Sequence, residues 1–258
     1  MEDTEDTAAR SSPRPTRPLD GLLVLDLTLF LSGPFATQIL AGLGARVIKI
    51  EQPGLGDPSR ANPPYYGPRG IHSGRRDEGD LSLSVLKRNR NKESVTLNLK
   101  HDEGRAILRD LARQADVLVE NFAPGVTARL GIDEPTLRAI NPRLVYCSIS
   151  GFGQEGPYRG PPAYDLVVQA MSGLMTSTGE PDGAPTRSAP RSPTWQAGCT
   201  GRSGSWRRCI SANTTPKSTG SGWMWRCSTA SSRWSSTRRL MCRSRAGHRH
   251  APATAVPA

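Results

Sequence analysis

A chain of 258 residues has room for one or two domains at roughly 150 residues each, and its formal charge of +11 would by itself suggest a nucleic-acid or membrane-surface partner. The distribution of that charge argues against both, because residues 1–187 hold 22 Lys/Arg and all 23 Asp/Glu whereas residues 188–258 hold 12 Lys/Arg and no acid. No apolar run approaches the roughly 18 residues of a membrane helix, and the N-terminus lacks the apolar core of a secretory signal, so a cytoplasmic setting is expected.

Residues 1–18 are polar and rich in Pro, the composition of a disordered lead-in. Leu22 to Leu27 is a nearly continuous apolar run that suits a strand buried on both faces. Ser32-Gly33-Pro34 then starts a helix through Phe35 to Leu43 that stops at Gly44. Arg46 to Glu51 is the next strand and closes a β-α-β unit. Gln52 to Asp80 is long, rich in Gly, Pro and Arg, and without clear periodicity. Loops of that length are usually functional or mobile.

Ser94 to Leu99 alternates as a half-exposed strand does, and Asp102 opens a helix through Gln114. Asp116 to Glu120 is a buried strand. A short helix follows from Pro124, another runs from Glu134 to Ile140, and Arg143 to Ser150 is a further strand. Tyr164 to Met175 reads as a helix that ends before the turn Gly179-Glu180-Pro181-Asp182-Gly183. Strands alternating with helices predict an α/β fold with a mainly parallel sheet. No GxGxxG follows the first strand, so the dinucleotide fingerprint is absent. The five Cys (147, 199, 209, 227 and 242) include no CxxC pair, which supports neither zinc nor dithiol chemistry. No metal is expected, and Cys147 reads as a buried core thiol.

Five pieces of the chain, in order, resemble the class III CoA-transferase family, the formyl-CoA and carnitine CoA-transferase group. They are residues 18–60, containing GLLVLDLTLFLSGP and RVIKIEQPGLGDPSR; KRNRNKESVTLNLK (87–100); ADVLVENFAPGVTARLG (115–131); NPRLVYCSISGFGQEGP (141–157); and YDLVVQAMSGLMTSTGEPDGAPTR (164–187). The resemblance covers residues 19–187 and implies a Rossmann-like large domain, in two chains interlocked as rings. That homodimer depends on segments the resemblance does not reach here.

Members of the family move coenzyme A between carboxylic acids, which needs a carboxylate nucleophile to attack the donor thioester. The resemblance puts that nucleophile at Asp182, although Glu-Pro-Asp-Gly is also an ordinary turn sequence. The implied partners are an acyl-CoA and a small carboxylic acid. For coenzyme A phosphates, Lys49, Arg60 and the cluster holding Arg90 and Lys92 are candidates, since guanidinium and ammonium groups satisfy phosphate oxygens. The same resemblance favours Asn121, Phe122 and Arg129 near the adenine and pantetheine arm. It also lines the thioester pocket with Leu29 to Gly33, including Leu31, and adds Phe152. Leu31 stands where formyl-CoA transferases carry Gln, and Phe152 where they carry Tyr.

Asp165 is the competing carboxylate. The related α-methylacyl-CoA racemases place a proton-transfer Asp at the start of this helix, usually after His, where this chain has Tyr164. The plainer role for Asp165 is to complement the helix dipole.

Residues 188–258 read as a different polymer. All five Trp and four of the five Cys lie there, and every Tyr and Phe lies before it. Such acid-free sequence offers no periodic apolar face and is expected to be disordered. A reading-frame shift near residue 188 accounts for it. In the shifted frame each middle base is the first base of a tail codon, so Trp, Cys and TCN-coded Ser become apolar residues. A truncated, inactive fragment of the family is therefore one reading of the chain. Single-strand nucleic-acid binding by the Arg- and Trp-bearing tail is a more distant one.

Overall fold

The computed structural model describes residues 17–161, 163–178, 180, 182–188 and 225–228. A six-stranded parallel sheet organises them. It consists of β1 (Leu23–Asp26), β2 (Arg46–Glu51), β6 (Lys92–Thr96), β7 (Val117–Glu120), β8 (Val145–Ser150) and β9 (Trp225–Ser228). The strand order is β6-β2-β1-β7-β8-β9 and every pairing is parallel. Counted among these strands alone, that is the doubly wound order 3-2-1-4-5-6.

The apolar runs are continuous because both sheet faces are covered, and successive side chains alternate between two cores. Val24, Val47, Val117 and Cys147 pack with Leu40 and Ala41 of α1 (Ser32–Gly42) on one face. Leu25, Ile48, Leu118 and Tyr146 pack on the other with Leu108 of α3 (Asp102–Gln114) and Leu137 of α5 (Glu134–Ile140). Cys147 is a buried free thiol, as its apolar setting suggested. Gly33 lets α1 start hard against the end of β1, because a Cβ there would lie 2.3 Å from the Thr28 Cβ. No helix among the described residues is long and apolar enough to cross a membrane.

The structure departs from the sequence reading in three places. The stretch expected as an unstructured loop from Gln52 carries a 3₁₀ turn (Pro58–Ala61) and an antiparallel sheet. That sheet consists of β3 (Tyr65–Gly67), β4 (Gly70–His72) and β5 (Leu81–Ser82), and α2 (Leu83–Arg88) follows it. Strands of two or three residues are too short to show a period.

The helix expected over Tyr164–Met175 is two pieces, α6 (Asp165–Ser172) and α7 (Leu174–Ser177), and α4 (Val126–Arg129) is a single turn. Gly173 adopts φ 75°, a left-handed conformation that interrupts the helix at low cost only for glycine.

The tail differs as well. Trp225–Ser228 lies within the segment expected to lack structure, yet it forms β9 against β8, with Cys147 opposite Trp225 and Ser150 opposite Ser228. Strand pairing satisfies backbone groups on the outer edge of β8 whatever side chains the added strand carries. The remainder of that expectation, beyond Ser188, lies outside the described residues, as do residues 1–16 of the lead-in.

Candidate functional site

In an open parallel sheet, ligands bind beyond the carboxyl ends of the strands where the winding reverses, which here is between β1 and β7. The chain leaving β1 is held there by three other elements. The Asn121 Oδ1 accepts the Leu29 N–H at 2.8 Å, and its Nδ2 donates to the Leu29 carbonyl at 2.8 Å. One residue on, the Phe30 N–H donates to Asp57 Oδ1 at 3.1 Å and the Phe30 carbonyl accepts from Arg88 Nη1 at 2.9 Å. Between these clamps Phe30 takes φ 66°, a conformation that non-glycine residues rarely adopt. Its ring is 53% exposed, whereas Leu31 beside it is buried.

Beneath this turn lies a closed block of charge. Asp26 Oδ2 accepts from Lys92 Nζ at 2.8 Å and from Thr37 Oγ1 at 2.6 Å, and Asp26 Oδ1 accepts from the Thr28 N–H at 2.9 Å. Lys92 Nζ also donates to the Pro34 carbonyl and to Asn89 Oδ1, each at 2.9 Å. Lys49 Nζ donates to the Thr28 carbonyl at 2.6 Å and forms an ion pair with Asp57 Oδ2 at 3.2 Å. Arg60 makes a two-pronged contact with Glu51, Nε to Oε2 at 2.8 Å and Nη2 to Oε1 at 2.6 Å.

Burial pushes the Asp26 carboxyl up, but the Lys92 and Lys49 charges and the hydrogen bonds outweigh it, leaving the group at about 2. Glu51 likewise titrates below the usual carboxylate range: burial works against Arg60, the Asp57 N–H and Lys49, and loses. Burial draws the Lys92 ammonium below its ordinary value against the pull of Asp26.

This geometry corrects two of the sequence expectations. Lys49 is 1% exposed, and the Lys92 side chain is likewise 1% exposed. Their ammonium groups neutralise internal carboxylates instead of facing a phosphate. Three acids (Asp26, Glu51, Asp57) balance three bases (Lys49, Arg60, Lys92), so the block has no surplus positive charge. The Asn121 amide holds the Leu29 peptide, which defines a structural task for a residue expected near the pantetheine arm. Arg60 keeps an exposed outer face, and Arg90, two residues before Lys92, is exposed on the surface.

The sequence reading missed Asp26, Asp57 and Glu120. The signal for the first was a carboxylate inside an otherwise apolar strand. Glu120 ends β7 opposite Ser148, is buried, and accepts the Phe122 N–H at 2.7 Å. Burial raises its pKa above the ordinary value, partly offset by Ser148 and the Phe122 N–H.

The other expected residues stand on separate elements. Arg129 is exposed on the last residue of α4. Phe152 is half-buried just after β8, with its ring centroid 6.0 Å from that of Tyr158. Asp182 lies in an exposed turn in which the Gly183 N–H donates to the Glu180 carbonyl at 3.1 Å. Among the described residues its carboxylate makes no hydrogen bond or ion pair. Asp165, by contrast, accepts from Gln169 Nε2 at 2.6 Å. No group of three or more side chains arranged to hold a metal occurs among the described residues.

Compared with known families, residues 19–254 match the model of CoA-transferase family III. The chain belongs to that family.

Among curated relatives, this family III chain is 54% identical over 184 residues to the acetyl-CoA:oxalate CoA-transferase of Acetobacter aceti, a match covering 71% of this chain and 43% of that enzyme. It is 47% identical over 176 residues to the succinate–glutarate CoA-transferase of Agrobacterium fabrum, covering 68% and 42% respectively. The chain thus spans less than half the length of these relatives. Among solved structures, a CAIB/BAIF family protein from Brucella suis superposes with a TM-score of 0.76 at 34% identity, over 92% of this chain and 60% of that one. A Mycobacterium tuberculosis protein in an orthorhombic crystal form gives 0.76 at 30% identity, over 90% and 61%.

Proposed function

We propose that this chain carries the nucleophile-bearing part of an acyl-CoA:carboxylate CoA-transferase, with Asp182 as nucleophile. The observation that carries the reading is an exposed carboxylate that makes no hydrogen bond or ion pair among the described residues, in the turn after α7, within a chain of family III. Such a group is open to approach, and among the described residues no neighbour neutralises it, as suits an attacking carboxylate.

In the proposed cycle an Asp182 oxygen attacks the thioester carbonyl of the donor. The C–S bond breaks, and coenzyme A leaves as thiolate from an aspartyl–acyl anhydride. The thiolate then attacks the aspartyl carbonyl, releasing the donor acid and forming an aspartyl-CoA thioester. An acceptor carboxylate attacks that thioester, and the returning thiolate takes the acceptor's acyl carbon, regenerating the Asp182 carboxylate. No net proton is gained or lost, and thioester energy is kept throughout.

The β1–α1 turn supplies a rigid wall for the thioester, with the Phe30 ring and the Phe122 side chain as its apolar surface. Arg60, Arg90 and Arg129 are the proposed contacts for the phosphates and adenine end of coenzyme A, each with guanidinium surface exposed. A homodimer, a cytoplasmic setting and the absence of a resident metal belong to the same proposal. So do the boundaries at residues 18 and 187.

The racemase-like alternative needs Asp165 available for proton transfer, and the Gln169 amide at 2.6 Å occupies that carboxylate. The fragment reading stands as the second: the lineage is right, while this chain by itself turns over nothing. Transfer of labelled coenzyme A from a thioester to a free dicarboxylic acid tests the proposal. Transfer by the chain, lost in Asp182→Ala, supports it; transfer that survives Asp182→Ala ends it, and no transfer at all selects the fragment reading.

A further inference from the structure

Glu120 is a buried acid that the proposed cycle does not use. It ends β7 at 2% exposure, and among the described residues it forms no ion pair. Burying a carboxylate with no cation beside it is costly. The charge therefore needs a reason beyond filling space.

Two neutral donors face the carboxylate. The Phe122 N–H donates to Glu120 Oε2 at 2.7 Å, and Ser148, opposite Glu120 in the β7–β8 register, adds its hydroxyl. An ionised carboxylate only accepts, so Ser148 gives its one proton to Glu120. The Ser148 oxygen is left as an acceptor, and Gln154 Nε2 donates to it at 2.7 Å. The half-buried Gln154 amide is thereby fixed with its NH₂ end inward. Its Oε1 makes no hydrogen bond among the described residues.

This relay joins the loops after β7 and β8, which hold Phe122 and Phe152, both expected near coenzyme A. We propose that Gln154 Oε1 accepts an amide N–H of the pantetheine arm, and that Glu120 and Ser148 are positioning residues that aim it. The proposal rests on the reading that a coenzyme A thioester binds at this end of the sheet, and it is independent of which carboxylate is the nucleophile. The acceptor's chemistry selects its donor. A carbonyl oxygen backed by a buried anion repels phosphate and carboxylate groups, whereas the pantetheine arm offers neutral amide N–H groups. The adenine amino group is the other neutral N–H donor of coenzyme A, and the test separates the two.

The test titrates the full chain, its Gln154→Leu variant and its Glu120→Gln variant with S-acetylpantetheine, ADP and acetyl-CoA. At pH 8 the carboxylate is ionised. Gln154→Leu should raise the Kd for S-acetylpantetheine and acetyl-CoA roughly tenfold, the loss of one hydrogen bond, and leave ADP binding unchanged. Glu120→Gln keeps the shape and removes the charge. Its new NH₂ group donates to Ser148, Ser148 then donates to Gln154, and Oε1 turns inward. The same roughly tenfold loss should follow, with an unfolding midpoint at or above the parent value because a buried unpaired charge has gone. A merely structural Glu120 would lower that midpoint instead. Followed by NMR without ligand, the Gln154 side-chain amide protons should be protected from solvent exchange in the parent and exposed in Glu120→Gln.

Unchanged S-acetylpantetheine affinity in Gln154→Leu would overturn the proposal. A loss confined to ADP would overturn it too, by giving the contact to the adenine amino group. Full affinity in Glu120→Gln, or a lowered midpoint with the Gln154 amide still protected, would remove the positioning role. The underlying reading fails differently. A parent chain that binds neither fragment nor acetyl-CoA defeats the coenzyme A reading and this inference with it, whereas a parent that binds both fragments beside an unaffected Gln154→Leu defeats the inference alone.

Discussion

Lys92 Nζ lies 2.8 Å from Asp26 Oδ2, and neither side chain is more than 1% exposed. A pair so enclosed is a poor contributor to net stability, because desolvation offsets most of its attraction, but breaking it strands a buried charge. Lys92→Met should therefore destabilise the chain by about 3–5 kcal/mol, read from urea unfolding. A ligand-facing lysine would behave otherwise: the same change would leave the unfolding midpoint in place and raise the Kd for coenzyme A.

Two buried carboxylates, Asp26 in the charge block and Asp80 just before β5, also set an acid limit. Asp26 titrates at about 2, where Lys92 and Lys49 prevail over burial, and Asp80 at about 2 through the Arg76 N–H first and His72 second. Both folded values lie below the roughly 3.9 of an unfolded Asp. Their stabilisation is thus complete above about pH 4 and is lost as pH falls toward and through 2. Unfolding midpoints measured from pH 6 to pH 2 should decline in that window, and Asp26→Asn should flatten the decline.

Asn121→Ala removes both hydrogen bonds to Leu29 and should cost about 1–2 kcal/mol. The loosened turn carries Phe30 out of its left-handed conformation, so exchange at the Leu29 and Phe30 amides should rise. An unchanged stability with weakened coenzyme A binding would mean that Asn121 serves the ligand directly.

Much of this arrangement was legible in the sequence. Arg46–Glu51 and Glu134–Ile140 match their expected bounds, because turn residues punctuate them, Gly44 before the first and Asn141-Pro142 after the second. The switch point was not legible from periodicity: which strand neighbours which is a long-range fact, carried by contacts such as Asn121 with Leu29, 92 residues apart. Lys49 and Lys92 misled for a related reason. A lysine's charge is visible in sequence, but its buried partner Asp57 or Asp26 is not. The short strands around Tyr65 and His72 carried no period to detect.

The chain changes composition at residue 188, and the nucleotide sequence there makes a separate prediction. A one-base shift near codon 187 should restore acids to the downstream chain and turn positions 225, 227 and 228 apolar. That is a suitable pattern for the strand that pairs with β8 as β9. An intact frame, encoded alike in related strains, would contradict it.

The most direct measurement of the central claim is a mass map of the full chain after incubation with an acyl-CoA and no acceptor acid. The account predicts a coenzyme A or acyl adduct on the peptide containing Asp182, discharged by added dicarboxylate and absent in Asp182→Asn. An adduct on another residue, or transfer that proceeds in Asp182→Asn, would contradict it.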